Sequence, residues 1–170
     1  MKRELLIDPS TIDMNNIIAD AEEIRRYNPQ RFEMEQLTAI VYEDRDQLLC
    51  AGYKDVSSDE FWIRGHMPKM PLMPGVMMLE AAAQLCSYFA QRHDLLGAEM
   101  LGFGGLEGVR FRDPVVPGDR LLLMCQQLKV RRGRMIVSAF QGVVDDKLVV
   151  EGELKGIPIP VEALNKFRSE

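Results

Sequence analysis

Hydrophobic spacing along the chain changes period several times, and each change marks an element. Met14, Ile17, Ile18, Ala21 and Ile24 recur at three- and four-residue steps, the repeat of one helix face. The spacing predicts a helix over residues 13–27, with Ser10 and Asp13 available as caps and Asn28-Pro29 as the stop. Residues 36–44 and 47–56 read as two strands around the polar turn Glu43-Asp44-Arg45-Asp46, and Phe61-Trp62-Ile63 as a short extended piece. Residues 76–96 form the longest apolar stretch, rich in Met, Leu and Ala and free of Pro and Gly until Gly97. Apolar nearly all round, it reads as a buried helix of about 20 residues, with Pro74 suited to its start and Gly97 to its stop. Downstream, residues 100–103, 109–112, 120–130, 134–144 and 147–157 read as strands, with turns at Pro117-Gly118-Asp119, Arg131-Arg132-Gly133 and Asp145-Asp146. In the last strand Leu148, Val150, Gly152 and Leu154 are expected on one face, and Lys147, Val149, Glu151 and Glu153 on the other. The fold class is α+β: an antiparallel sheet of about five or six strands wrapped on one buried helix. Residues 1–12 are expected to form a loosely ordered arm, 13–160 the single domain and 161–170 a tail.

A chain of 170 residues, 46% of them hydrophobic, has room for one domain with a real core. Its 21 Lys and Arg against 26 Asp and Glu leave a net charge of −5, which argues against general nucleic-acid binding. No apolar run reaches the roughly 18–20 residues that span a bilayer, and the acid-bearing start lacks the apolar core of a signal peptide, so a cytoplasmic location is expected. Cys50, Cys86 and Cys125 each stand alone in apolar settings and read as reduced core residues. With only His66 and His93 and no Cys-x-x-Cys, no protein-made metal centre is expected.

The chemistry concentrates where the long helix begins. Glu80 sits inside Gly75-Val76-Met77-Met78-Leu79-Glu80-Ala81-Ala82-Ala83, where burial would favour a neutral carboxyl suited to general-acid work. Against this stands the plainer reading that the helix turns Glu80 to solvent or pairs it with an arginine. His66 lies in the loop His66-Met67-Pro68-Lys69-Met70-Pro71-Leu72-Met73-Pro74-Gly75. An imidazole suits a general base, although a lone loop histidine is more often structural. The first N–H groups of the helix, around Gly75 and Val76, have no intrahelical partner and can hold a carbonyl oxygen as it becomes an enolate. Glu80 is four residues after Val76, about 6 Å along the axis, and its side chain leans back toward those groups. One helix can thus grip a carbonyl oxygen and protonate a hydroxyl at its β-carbon while a base takes the proton between, the requirement of a β-elimination of water.

These residues resemble a known family. Phe61-Trp62-Ile63-Arg64-Gly65-His66-Met67-Pro68, Pro71-Leu72-Met73-Pro74-Gly75-Val76 and Leu79-Glu80-Ala81-x-x-Gln84 are similar to the central signature of the β-hydroxyacyl-(acyl-carrier-protein) dehydratases. Val109-Arg110-Phe111-Arg112-x-Pro114-Val115-Val116-Pro117-Gly118-Asp119 and Leu128-Lys129-Val130-Arg131-Arg132-Gly133 match later segments at the proper spacing. The resemblance implies a hot-dog fold, in which a sheet wraps a long central helix. It implies a homodimer, commonly assembled further to a trimer of dimers, whose active sites each combine the histidine of one subunit with the carboxylate of the other. It gives His66 the C2 proton, Glu80 the departing 3-hydroxyl, the Gly75 N–H the thioester carbonyl and Gln84 the orienting of Glu80. A carboxylate of Glu type fits the dehydratase-only branch. The product would be a trans-2-enoyl thioester in fatty-acid synthesis, carried on the phosphopantetheine of acyl carrier protein or on coenzyme A, with no other cofactor.

The chain also departs from the family. Its Pro29-Gln30-Arg31-Phe32-Glu33-Met34 replaces Pro-His-Arg-Tyr-Pro-Phe, Lys69 replaces a glycine, Met67 a phenylalanine, and Gly102 an aromatic residue before Phe103. The acid–base pair is kept while the rim of the acyl tunnel is altered, which leaves chain length and carrier open. Met67, Met73, Met77 and Phe103 are candidates to line that tunnel. Arg110, Arg112, Lys129, Arg131 and Arg132 are candidates to dock an acidic carrier, although a solvated turn explains the last three as well. Gly102, Gly104, Gly105 and Gly108 imitate a dinucleotide fingerprint at the wrong spacing, with no helix to follow. Two rival readings are a hot-dog thioesterase, which aims a water at the carbonyl, and a non-catalytic acyl-thioester binder, which has no use for a matched acid and base.

Overall fold

A computed structural model of the protein describes residues 4–162. Six strands, β1 (Ala39–Asp44), β2 (Leu49–Asp55), β3 (Leu101–Phe111), β4 (Arg120–Arg131), β5 (Met135–Val144) and β6 (Lys147–Pro158), form one sheet in the order β1-β2-β4-β5-β6-β3. Every pairing is antiparallel. Across one face runs the helix α2 (Gly75–Arg92), and this is the hot-dog arrangement. Leu85, Tyr88 and Phe89 of α2 are fully buried against Leu121, Leu123, Phe140 and Val150 of the sheet, each such side chain contributing about 1.5–3 kcal/mol by leaving water. The three cysteines meet in this core: Cys50 and Cys125 oppose each other across β2 and β4, and all three are buried free thiols. Burial pushes Cys50 up, and hydrogen bonds among the three, with burial, raise Cys86 and Cys125, so none is held as a reactive thiolate.

Several elements differ from the sequence expectation. Residues 13–27 are not one helix: α1 is only Ala21–Ile24, capped by the Asp20 carboxylate accepting from the Glu23 N–H at 2.9 Å. Upstream, Ala19 forms a bridge to Ile40, with the Ile40 N–H donating to the Ala19 carbonyl at 2.8 Å, so the backbone is committed to β1. Residues 4–12 of the segment expected as a loose arm form a covering layer, and residues 1–3 lie outside the described residues. Ile7 and Ile12 are buried on the outer face of the sheet against Val41, Ala51, Leu122 and Met124, and the Leu6 N–H donates to the Gln141 side chain at 2.7 Å. An apolar outer face needs a second layer, and Leu5, Leu6, Ile7 and Ile12 supply it. Of the tail expected at 161–170, residues 163–170 lie outside the described residues.

Phe61-Trp62-Ile63 lies in turns, with Trp62 buried. The two short strands expected at 100–103 and 109–112 are one strand, β3, bent by register shifts between Phe103 and Gly105 and between Glu107 and Arg110, where Gly108 takes a φ of 61°. On β6, the register shift between Gly142 and Val143 of β5 puts Val149 in the core beside Val150 and leaves Leu148 on the outer cluster, so the expected alternation breaks there. Helix α2 stops at Arg92, before Gly97, and Pro74 is its cap and not its first residue. No helix of the described residues is long and apolar enough to cross a membrane.

Candidate active site

His66 is carried on the loop between the Trp62 turn and α2. Its N–H donates to the Trp62 carbonyl at 2.8 Å, its carbonyl accepts the Leu72 N–H at 2.9 Å, and the ring Nδ1 meets the Leu72 carbonyl at 2.8 Å. A carbonyl can only accept, so Nδ1 carries a hydrogen, and in the neutral imidazole the lone pair is then on Nε2. The far end of the loop is pinned where the Met73 N–H donates to the Val115 carbonyl at 2.8 Å.

Glu80 lies in the second turn of α2, half-buried and not sunk in apolar surroundings as the sequence suggests. Its Oε1 accepts from Gln84 Nε2 at 2.7 Å and from Gln30 Nε2 at 3.2 Å. Gln84, one turn on, is buried and fixed at both ends of its amide. It also donates to the Met34 carbonyl at 2.7 Å and accepts the Gln36 N–H at 2.9 Å. Between Glu80 and the helix start lies about one turn of α2. The Met77 and Met78 N–H groups are taken by the Pro74 carbonyl, whereas no described residue accepts those of Gly75 and Val76. A Cβ at Gly75 would stand 2.8 Å from the ring of the half-exposed Phe111, so a larger residue there obliges that ring to move. Within the one chain His66 bonds to Leu72 and Glu80 to the two glutamines, and no hydrogen bond joins the pair.

The remaining candidates divide. Met73 and Met77 are buried in the core, while Met67, Val76 and Phe103 are exposed. Arg110 and Arg112 flank Phe111 near the start of α2, where Arg112 pairs with Glu151 and Arg110 donates to the Val109 carbonyl. Arg132 pairs with Asp94 at 2.6 Å beyond the end of α2, near the exposed Lys129 and Arg131. Helix α2 is about 27 Å long, with Phe111 beside its first residue and Arg132 bound beyond its last, while Lys129 shares the neighbour Glu107 with Arg110. In place of the missing aromatic residue at Gly102, the side chain of Ile159 fills the space a Cβ would need.

Sequence reasoning missed the segment that supports Glu80. Asn28 donates its amide to the Gln84 carbonyl at 2.9 Å, and Gln30 reaches the carboxyl itself. The departure at Gln30 from the family pattern was the one available signal. Among the described residues no cluster of His, Cys, Asp and Glu could hold a metal ion.

The FabA-like domain family matches residues 28–153. The 3-hydroxyacyl-[acyl-carrier-protein] dehydratase FabZ of Mannheimia succiniciproducens is 38% identical over 140 residues, which cover 81% of this chain and 91% of that protein. The protein of the same name from Desulfotalea psychrophila is 38% identical over 128 residues, 74% of this chain and 84% of its own length. Among solved structures, the dehydratase heterocomplex ApeI:P from Xenorhabdus doucetiae superimposes with a TM-score of 0.70 over 86% of this chain and 97% of that one. At 16% identity this last likeness is one of fold.

Proposed function

The chain belongs to the FabA-like family that includes the FabZ 3-hydroxyacyl-[acyl-carrier-protein] dehydratases, and on that premise we propose that it dehydrates (3R)-3-hydroxyacyl chains on acyl carrier protein to trans-2-enoyl thioesters in fatty-acid biosynthesis. One observation carries the step-by-step reading: His66 has its Nδ1 hydrogen committed to Leu72, and Glu80 has one oxygen committed to two amides. Each group therefore keeps one defined atom, Nε2 and Oε2, for the reaction. His66 Nε2 takes the C2 proton. The electron pair moves onto the thioester carbonyl oxygen, which the Gly75 and Val76 N–H groups receive. As the pair returns, the C3–O bond breaks and the hydroxyl leaves as water with the proton of Glu80. Transfer of a proton from the imidazolium to the carboxylate resets the pair.

Because His66 and Glu80 are not joined within one chain, the site is read as shared, with His66 of one protomer facing Glu80 of the next. The exposed apolar side chains of the edge strand β3, Phe103, Leu106 and Phe111, together with Val76, support this pairing of copies. Arg110, Arg112, Lys129, Arg131 and Arg132 are then read as the basic residues that dock an acidic carrier. Acid–base groups of this kind contribute about 10²–10⁴-fold, so Glu80→Gln and His66→Ala are each expected to lose that much crotonyl-thioester hydration with unchanged circular dichroism. Full activity in both would end the assignment, and release of free thiol without hydration would move it to a thioesterase.

A further inference from the structure

The carboxyl of Glu80 is gripped by one oxygen. Gln84 and Gln30 both donate to Oε1, at 2.7 and 3.2 Å, and neither reaches Oε2. Gln84 cannot turn, since its amide is bonded on three sides and buried. Gln30 arrives from a separate segment that is itself braced. The guanidinium of Arg31 donates to the carbonyls of Asn28 at 2.8 Å and Gln30 at 2.6 Å, and the Asn28 amide ties the segment to α2. The other end of the Gln30 side chain contributes nothing comparable: its Oε1 is buried and accepts no hydrogen bond from a protein group, an arrangement that costs stability. What the residue supplies is the donor on Glu80.

We propose that Gln30 is a positioning residue for the dehydration: with Gln84 it clamps Glu80 through Oε1 and so presents Oε2 to the departing hydroxyl. A primary amide neither gives nor takes a proton in the working pH range. Two amides on one oxygen thus fix the carboxyl plane and leave proton transfer to the other. The inference rests on the reading of Glu80 as the acid.

Gln30→Leu removes the donor and the unpaired acceptor together at similar volume. The expected result is a kcat for enoyl-thioester hydration lower by about 10- to 100-fold, the scale of loss from a misplaced reacting group, with KM within about twofold and an unchanged melting temperature. Gln30→His restores an N–H donor and is expected to recover most of the lost kcat. The proposal is overturned by a Gln30→Leu protein with wild-type kcat, by a kcat that falls only in step with the folded fraction, or by a Gln30→His protein no better than Gln30→Leu. Glu80→Gln, assayed alongside, separates the two failures. If it is fully active, the acid assignment fails and this role with it; if it is inactive while Gln30→Leu is fully active, only Gln30 loses its role.

Discussion

Lys54 and Glu60 form an ion pair of 2.8 Å whose side chains are only 8% and 9% exposed. Lys54 belongs to β2, and Glu60 opens the turns that carry Trp62 and His66, so the pair fastens the histidine loop to the sheet. Lys54→Met would strand the Glu60 charge away from water and is expected to cost about 3–5 kcal/mol, whereas Lys54→Met with Glu60→Leu should regain most of that loss. Urea denaturation of the single and double variants checks both numbers. His66 and Glu80 stand out in the sequence because their chemistry conflicts with apolar or proline-rich neighbours. Gln30 does not, since an amide among polar residues conflicts with nothing, and its meaning depends on a contact fifty positions away. The sequestered glutamate expected from the apolar run is a half-buried one, because the helix turns that residue toward the three-amide segment of Asn28, Gln30 and Gln36.

Periodicity identified α2 and most strands because a long buried helix and long paired strands leave strong repeats. It failed where one residue was inserted or a backbone was diverted. Residues 13–20 carry a helical spacing of apolar positions, yet Ala19 pairs with Ile40. The glycines of β3 break a strand into two apparent pieces, although they only bend it. Val149 shows how a single irregularity reverses a face: it is 1% exposed although alternation assigns it to the side of Glu153. Val149→Thr therefore buries a hydroxyl and is expected to cost about 1–3 kcal/mol, while Glu153→Thr, on the exposed side, should stay within about 0.5 kcal/mol. Chemical denaturation midpoints distinguish these outcomes.

The sequence also has no means of showing which apolar residues are covered by the chain itself and which are left open. Phe103, Leu106 and Phe111 lie on the edge strand with 49%, 42% and 51% of their surface open, and Phe111 among them sits against Gly75 at the start of α2. Phe103→Lys with Leu106→Lys is expected to leave a folded chain, since neither side chain supports the core. If the site is shared between copies as proposed, this variant should shift sedimentation to the monomer and lower hydration activity by about 10²-fold, because reacting groups held on two copies lose their alignment. Sedimentation velocity and activity, followed across the same concentrations, test the two effects together.

Ala19, bridged to Ile40, occupies hydrogen-bonding groups along the free border of β1, at the opposite limit of the sheet from β3. One margin is thereby interrupted at Ile40, while no strand lies beyond β3 at the other. Two molecules laid open margin to open margin would present outward only borders interrupted at Ile40, which hinders the addition of a further strand there.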